Sequence, residues 1–237
     1  MPETPAPTSP QSNLQIALPD FVRFVRQLSH DLRNHLNAAE LQSAYIGEIA
    51  EDPELKSEVK RLRSMVSEVG AALQKLTAAL APVKLTEMPY GVADFVEDFR
   101  QKLDATFPEQ KTEVEWKLNV KDGASLNIDP QLLQQALLEL FTNAFRHSRG
   151  QGAIQVTAAT ENGSLVLVLR EPKSSFDLKT GDWGHEPLRS IGQGHYGLGL
   201  HRARSILEAH QGQFEAHHDA AASALITTIR LPLERAS

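Results

Sequence analysis

The sequence predicts two domains, an all-α antiparallel helical hairpin followed by an α+β sandwich. In residues 20–82, apolar side chains recur at alternating spacings of three and four, which is the period of an amphipathic helix. One Asp52-Pro53 break divides that stretch into two similar lengths. Beyond Pro89 the period changes, and helical runs mix with short β-rich runs bounded by turn residues.

The hairpin follows from the pattern in detail. Asp20, after Pro19, is the expected N-cap. Phe21, Val25, Leu28, Leu32, His35, Ala39, Gln42, Ile46 and Ile49 then form one stripe, with His35 and Gln42 as polar interruptions. The second helix carries Leu55, Val59, Leu62, Val66, Val69, Leu73, Leu76 and Leu80 without a fault in spacing, a coiled-coil-like seam. Each helix is about 30 residues, or roughly 45 Å, and the short connection makes them antiparallel. Two helices with one narrow seam each cover little core, so pairing into a dimeric four-helix bundle is expected.

Within residues 83–237, a helix is expected at 91–106 and a strand at 114–120. A strong helix over 130–147 is opened by Asp129 as N-cap, with Pro130 at its first position. Strands at 153–160 and 164–170 meet at Glu161-Asn162-Gly163, whose Asn-Gly suits a hairpin turn. A polar, glycine-containing stretch covers 171–196. A helix at 198–210 and strands at 213–217 and 224–231 close the chain. Residues 1–19 hold five prolines among Thr, Ser, Gln and Ala, and read as a flexible tail.

Composition narrows the function classes. The 237 residues carry 24 basic and 30 acidic side chains, net −6, with no Lys/Arg-rich run. That argues against a protein that coats nucleic acid, which needs a cationic track. Zero cysteines removes disulfides, thiolate metal sites and cysteine nucleophiles, and suits a cytoplasmic setting. No window has eighteen consecutive apolar residues, so no membrane insertion is expected.

Three clusters could carry chemistry. In Ser29-His30-Asp31-Leu32-Arg33-Asn34, His30 lies about 200° from Leu28 and Leu32 around the helix, facing solvent if those leucines lie on the seam. A neutral imidazole there is an accessible nucleophile. Asp31 could hold one ring proton, and Asn34, one turn on, could orient a water. The plain alternative is a solvated helix face. In the second cluster Glu139, Asn143, Arg146 and His147 share one helical stripe, a set that could hold a metal ion and a polyphosphate. A polar edge on an amphipathic helix is the alternative there.

The third cluster, Gly192 to Leu200, contains G-x-G-x-x-G. The residues before it make a poor strand, which removes the dinucleotide-binding reading. What remains is a glycine-rich turn and a helix start whose amides suit phosphate oxygens, or a purely structural turn.

Taken in order, these clusters resemble the phosphoacceptor, asparagine and second glycine boxes of the sensor histidine kinases of bacterial two-component systems. Asp129, Glu186-Pro187-Leu188 and Leu231-Pro232-Leu233 are similar to further elements of that family. The resemblance, over residues 20–233, implies a dimerisation and histidine-phosphotransfer hairpin at 20–82. It implies an ATP-binding domain of the Bergerat-type histidine-kinase ATPase fold at 83–237. His30 would accept the γ-phosphoryl group, with Asp31 as its base and Asn34 aligning water for dephosphorylation of a partner. Asn143 would coordinate Mg²⁺, with Glu139 beside it, and Arg146 and His147 would face the phosphates of ATP. Gly194, Gly197 and Gly199 would allow close approach to them, and Arg204 would add charge. The implied partners are a response-regulator receiver domain, a second copy of the chain and, with only a 19-residue tail ahead of the hairpin, a separate sensor protein.

The sequence departs from the family pattern twice. His35 stands where proline is usual. Where a first glycine box of the form Asp-x-Gly-x-Gly is expected, the chain has Glu171 at the adenine-reading acid and Lys173 and Ser175 at the glycines. Three readings follow. The first is a cytoplasmic histidine kinase that autophosphorylates His30 and passes phosphate to a response-regulator aspartate. The second is a phosphotransfer protein or response-regulator phosphatase with a degenerate nucleotide domain. The third is a non-catalytic dimeric scaffold that binds a regulator.

Overall fold

The structure, a computed structural model, describes residues 17–146, 150–176, 180, 183–185 and 197–234. The chain divides into two compact units, with the boundary between Leu80 and Ala81.

The first unit is built on α1 (Leu18–Ile49) and α2 (Pro53–Ala79). Helix α1 starts two residues before the expected Asp20 cap, with Ala17 as N-cap and a proline in the first turn. Proline there is pre-set for helix and has no amide to leave unpaired, so Asp20 falls inside the first turn instead. At the other break Asp52 caps α2, accepting from the Glu54 amide at 3.0 Å, with Pro53 as first residue. The helices run antiparallel. Gly47 approaches Val59 near the connection, and Arg26 Nη2 donates to Leu80 O at 2.9 Å at the far end.

Burial in the hairpin corrects the expected seam. Among the described residues of this unit, Val25, Ser29, Ser43, Ala50 and Val59 are buried. The seam residues Leu28, Leu32, Leu62 and Val69 remain 39–51% exposed. The two helices therefore meet along one flank of the predicted stripe and leave the other flank open. No described helix is long and apolar enough to cross a membrane.

In the second unit a five-stranded sheet has the order β2-β4-β5-β7-β6. Its strands are β2 (Val114–Asn119), β4 (Ile154–Glu161), β5 (Ser164–Pro172), β6 (Gln213–Asp219) and β7 (Ala224–Pro232). The β2–β4 pair is parallel and the others antiparallel. A two-stranded ribbon, β1 (Met88–Gly91) with β3 (Ser125–Ile128), had no counterpart in the expected elements. Four-residue strands with a proline in one of them are too short to show a period of two. The Asn162-Gly163 turn has φ of 49° and 75°, the left-handed pair of a tight hairpin.

Three helices, α3 (Val92–Thr106), α4 (Pro130–Arg146) and α5 (Gly199–Ala209), share one core with the sheet. Phe95, Phe99 and Leu103 of α3, Leu133, Leu137 and Phe141 of α4, and Ile206 and Leu207 of α5 meet Ile154, Leu165, Leu167 and Ile229 of the strands. Strand residues two apart lie on one face, so Leu165, Leu167 and Leu169 form the central apolar row of β5.

Candidate functional site

In the hairpin, His30 and Asp31 both project into solvent, with side chains 67% and 54% exposed. Asp31 Oδ1 lies 3.2 Å from His30 Nδ1 and also accepts from Gln27 Nε2 at 3.0 Å. A proton on Nδ1 shared with this carboxylate leaves the lone pair on outward-facing Nε2, the form in which imidazole attacks an electrophile. Asn34 and His35 are exposed on the following turn. Gln27, one turn before Asp31, is the partner that sequence reasoning missed; the i, i+4 spacing was the available signal.

The second unit assembles its own cluster from α4 and α5. Asp129 caps α4, accepting the Leu132 amide and the Thr86 amide, each at 3.0 Å. Burial pushes its carboxyl pKa up. Bonds from the Leu132, Thr86 and Gln131 amides outweigh that and hold it below the ordinary value. His210 connects the two helices: its Nε2 accepts the Asp129 amide at 3.0 Å, and its Nδ1 donates to Ile206 O at 2.8 Å. This arrangement uses the neutral ring, with Nδ1 protonated.

Farther along α4, Glu139 and Asn143 are half-buried and Arg146 is exposed. The Glu139 carboxylate lies against Gly199, the first residue of α5. A β-carbon at Gly199 would fall 1.8 Å from Glu139 Oε1. Gly197, just before the helix, has φ of 61°. The fold therefore joins the second and third sequence clusters through a contact that only glycine permits. The start of α5 has no side-chain cap, and amides of a first turn suit phosphate oxygens. The side-chain oxygens of Glu139 and Asn143, one turn apart on α4, are of the kind that could hold Mg²⁺. His147 and Gly194 lie outside the described residues.

Arg204 is placed differently from a free phosphate-binding cation. It is buried, and its guanidinium donates to Trp183 O at 2.5 Å and Phe214 O at 3.1 Å while lying over the Phe214 ring. It braces α5 against β6. One turn earlier His201 Nδ1 bonds Gly184 O at 2.9 Å, so the turn around Trp183-Gly184 is fixed on α5 by two side chains.

At the end of β5, Glu171 and Lys173 form a buried ion pair, Nζ to Oε1 2.6 Å, with both side chains 6% exposed. The Lys173 ammonium also lies over Phe176 at 5.2 Å. Its backbone is fixed on both sides, by N–H to Ser223 O and by His218 Nε2 against its carbonyl. Gly150 N bonds Pro172 O at 2.7 Å, which brings the chain leaving α4 beside this pair. Lys173 thus folds back onto Glu171 and neutralises it.

Residues 128–235 match the family described as histidine kinase-, DNA gyrase B- and HSP90-like ATPase. The sensor protein CutS of Streptomyces coelicolor is 26% identical over 213 residues, covering 86% of this chain and 51% of CutS. The signal transduction histidine-protein kinase BaeS of Escherichia coli is 27% identical over 224 residues, covering 90% of this chain and 47% of BaeS. The chain spans about half the length of these relatives. Full-length ShkA, solved in complex with AMPPNP, superposes with a TM-score of 0.68 at 16% identity, over 91% of this chain and 46% of ShkA. The histidine kinase AdeS of Acinetobacter baumannii gives 0.52 at 18%, over 87% of this chain and 98% of AdeS. At those identities the structural likeness is one of fold. Residues 128–235 thus match the histidine kinase, gyrase B and HSP90 type of ATPase domain, and over most of its length the chain is similar to sensor histidine kinases.

Proposed function

We propose that this protein is a cytoplasmic, ATP-dependent histidine kinase that phosphorylates its own His30 and passes the phosphoryl group to an aspartate of a response-regulator receiver domain. The observation that carries the reading is the Glu139–Gly199 contact, which joins two of the three sequence clusters in one place. In this reading residues 20–82 dimerise into a four-helix bundle and present His30, and residues 83–237 bind Mg²⁺·ATP. Asn143 and Glu139 hold the metal ion, Arg146 and His147 face the phosphates, and the Gly194, Gly197 and Gly199 turn cradles them. Phosphoryl transfer depends on positioning and charge neutralisation, and this set supplies both. Asp31 takes the Nδ1 proton as base while Nε2 attacks the γ-phosphorus and ADP leaves. Asn34 orients the water that hydrolyses the partner's aspartyl phosphate in the opposing phosphatase reaction.

The Glu171–Lys173 pair favours a second reading. A carboxylate neutralised inside the fold is a poor acceptor for an adenine amine, which supports a phosphotransfer protein or response-regulator phosphatase that does not use ATP. Incubation of the full chain with γ-labelled ATP and Mg²⁺, beside His30→Ala, separates the two. Acid-labile label on wild type alone supports the kinase. Phosphate exchange between His30 and a phosphorylated receiver, with no label from ATP, supports the second reading. Silence in both assays overturns both and leaves the scaffold.

A further inference from the structure

The segment entering the second unit is fastened across both helices of the cluster. Arg202, on α5, donates Nη1 to Ala81 O at 2.6 Å. Val83 packs against the core, and the Thr86 amide donates to Asp129 at the start of α4. Residues 81–86 therefore form a strap running from α5 to the N-cap of α4.

The two ends of this strap are held differently. At Thr86 the acceptor is a carboxylate that is itself fixed by the Leu132 amide. At Ala81 the donor is an arginine whose Nε is buried and has no partner among the described residues. Burial lowers the pKa of this guanidinium from its ordinary value, a sign that the cation is poorly solvated. A buried donor without an acceptor carries its full desolvation penalty. Swinging Arg202 into water would solvate all five of its donors, a gain with no equivalent at Thr86. The Ala81 end is the one poised to open.

We infer that the Arg202–Ala81 bond is a releasable latch, through which the strap regulates the helix that bears Gly199. Arg202 follows Gly199 by one turn on the same short helix. Gly199 sits so close to Glu139 that no β-carbon fits, so a small shift of α5 alters that contact. The regulatory consequence rests on the reading above, in which Glu139 and the glycine turn hold Mg²⁺·ATP. Arg202 is here a positioning residue and touches no reacting atom.

The test compares wild type, Arg202→Met and Arg202→Lys as full chains. It measures hydrogen exchange by mass spectrometry in peptides covering 80–86 and 197–203, together with labelling of His30 by Mg²⁺·ATP. Arg202→Met should raise exchange in both peptides about fivefold, leave the β1–β3 ribbon unchanged, and shift the KM for ATP by a similar factor. Arg202→Lys, which keeps a charge and a donor, should fall between. Where Arg202→Met does not fold, Arg202→Lys against wild type carries the same comparison. Unchanged exchange in 80–86 overturns the latch. Exchange raised there but not in 197–203 overturns the coupling. If wild type takes no label from ATP, the kinase reading fails, and the 197–203 exchange alone still decides the inference.

Discussion

The Glu139 carboxylate occupies the space where a side chain at Gly199 would begin, with Oε1 1.8 Å from the position of a β-carbon. Gly199→Ala must therefore push Glu139 aside. The obstructing atoms are the far end of a flexible side chain, so the expected stability loss is modest, about 1 kcal/mol. The larger effect falls on the site: labelling of His30 from ATP should drop at least about tenfold, equivalent to about 1.4 kcal/mol at the transition state. In a Glu139→Ala background the same substitution meets no carboxylate. A thermodynamic cycle on the two positions should return a coupling of about 1 kcal/mol in unfolding; additivity would mean that the residues do not meet.

Asp129 gives a pH-dependent prediction. Its folded-state pKa lies below the ordinary 3.8 because amide bonds outweigh burial. As pH falls, the unfolded chain takes up this proton first. The contribution to stability is therefore complete above the ordinary carboxylate range, and it is lost as pH falls through the folded-state value. Asp129→Ala should cost about 1–2 kcal/mol at neutral pH, since it removes a cap and strands the Thr86 amide. Urea denaturation of the two proteins from pH 6 down to about pH 3 should show wild type losing more of its advantage as acid increases. A constant gap would refute the assignment.

Much of this organisation was legible in the sequence, for reasons visible in particular residues. The Asp52-Pro53 break, the Asp129-Pro130 helix start and the Asn162-Gly163 turn are local signals, set within a few residues by backbone chemistry. His30 was placed in solvent by helical period alone, and it is exposed. The hairpin seam was only half legible, because periodicity identifies an apolar stripe but not which flank of it the neighbouring helix covers. The ties made by Arg202, His201 and His210 were not legible at all. Each links residues distant in sequence, Arg202 with Ala81 and His210 with Asp129, and no period or spacing encodes such a meeting. The Lys173–Glu171 pair was half visible: the two residues stood out in sequence, but whether the lysine extends or folds back is decided by tertiary packing.

That pair predicts a strongly non-additive cycle. Both groups are buried and 2.6 Å apart, so removing Lys173 takes a close cation away from a buried carboxylate. Lys173→Met alone should destabilise by about 3–5 kcal/mol. Replacing both, as Glu171→Leu with Lys173→Met, should recover most of that loss, because an apolar pair of similar volume requires no desolvation. Chemical denaturation of the two single variants and the double variant measures this directly. A double variant no more stable than Lys173→Met would refute the coupling between the two side chains.

The open flank of the hairpin seam supplies the test of dimerisation. Leu28, Leu32, Leu62 and Val69 belong to the predicted stripe, yet each keeps 39–51% of its surface exposed in a single chain. Covering that flank in a second copy would stabilise the assembly by about 1 kcal/mol for each half-exposed leucine. Leu28→Lys with Leu62→Lys, present in both copies, should then weaken association by about a thousandfold. Leu41 is 74% exposed and so is an equally open apolar residue. It lies about 140° from Leu28 around α1, off the seam, so Leu41→Lys should leave association unchanged. Sedimentation equilibrium across a concentration series distinguishes the two variants. Equal effects would mean that general surface hydrophobicity, and not the seam, holds the copies together.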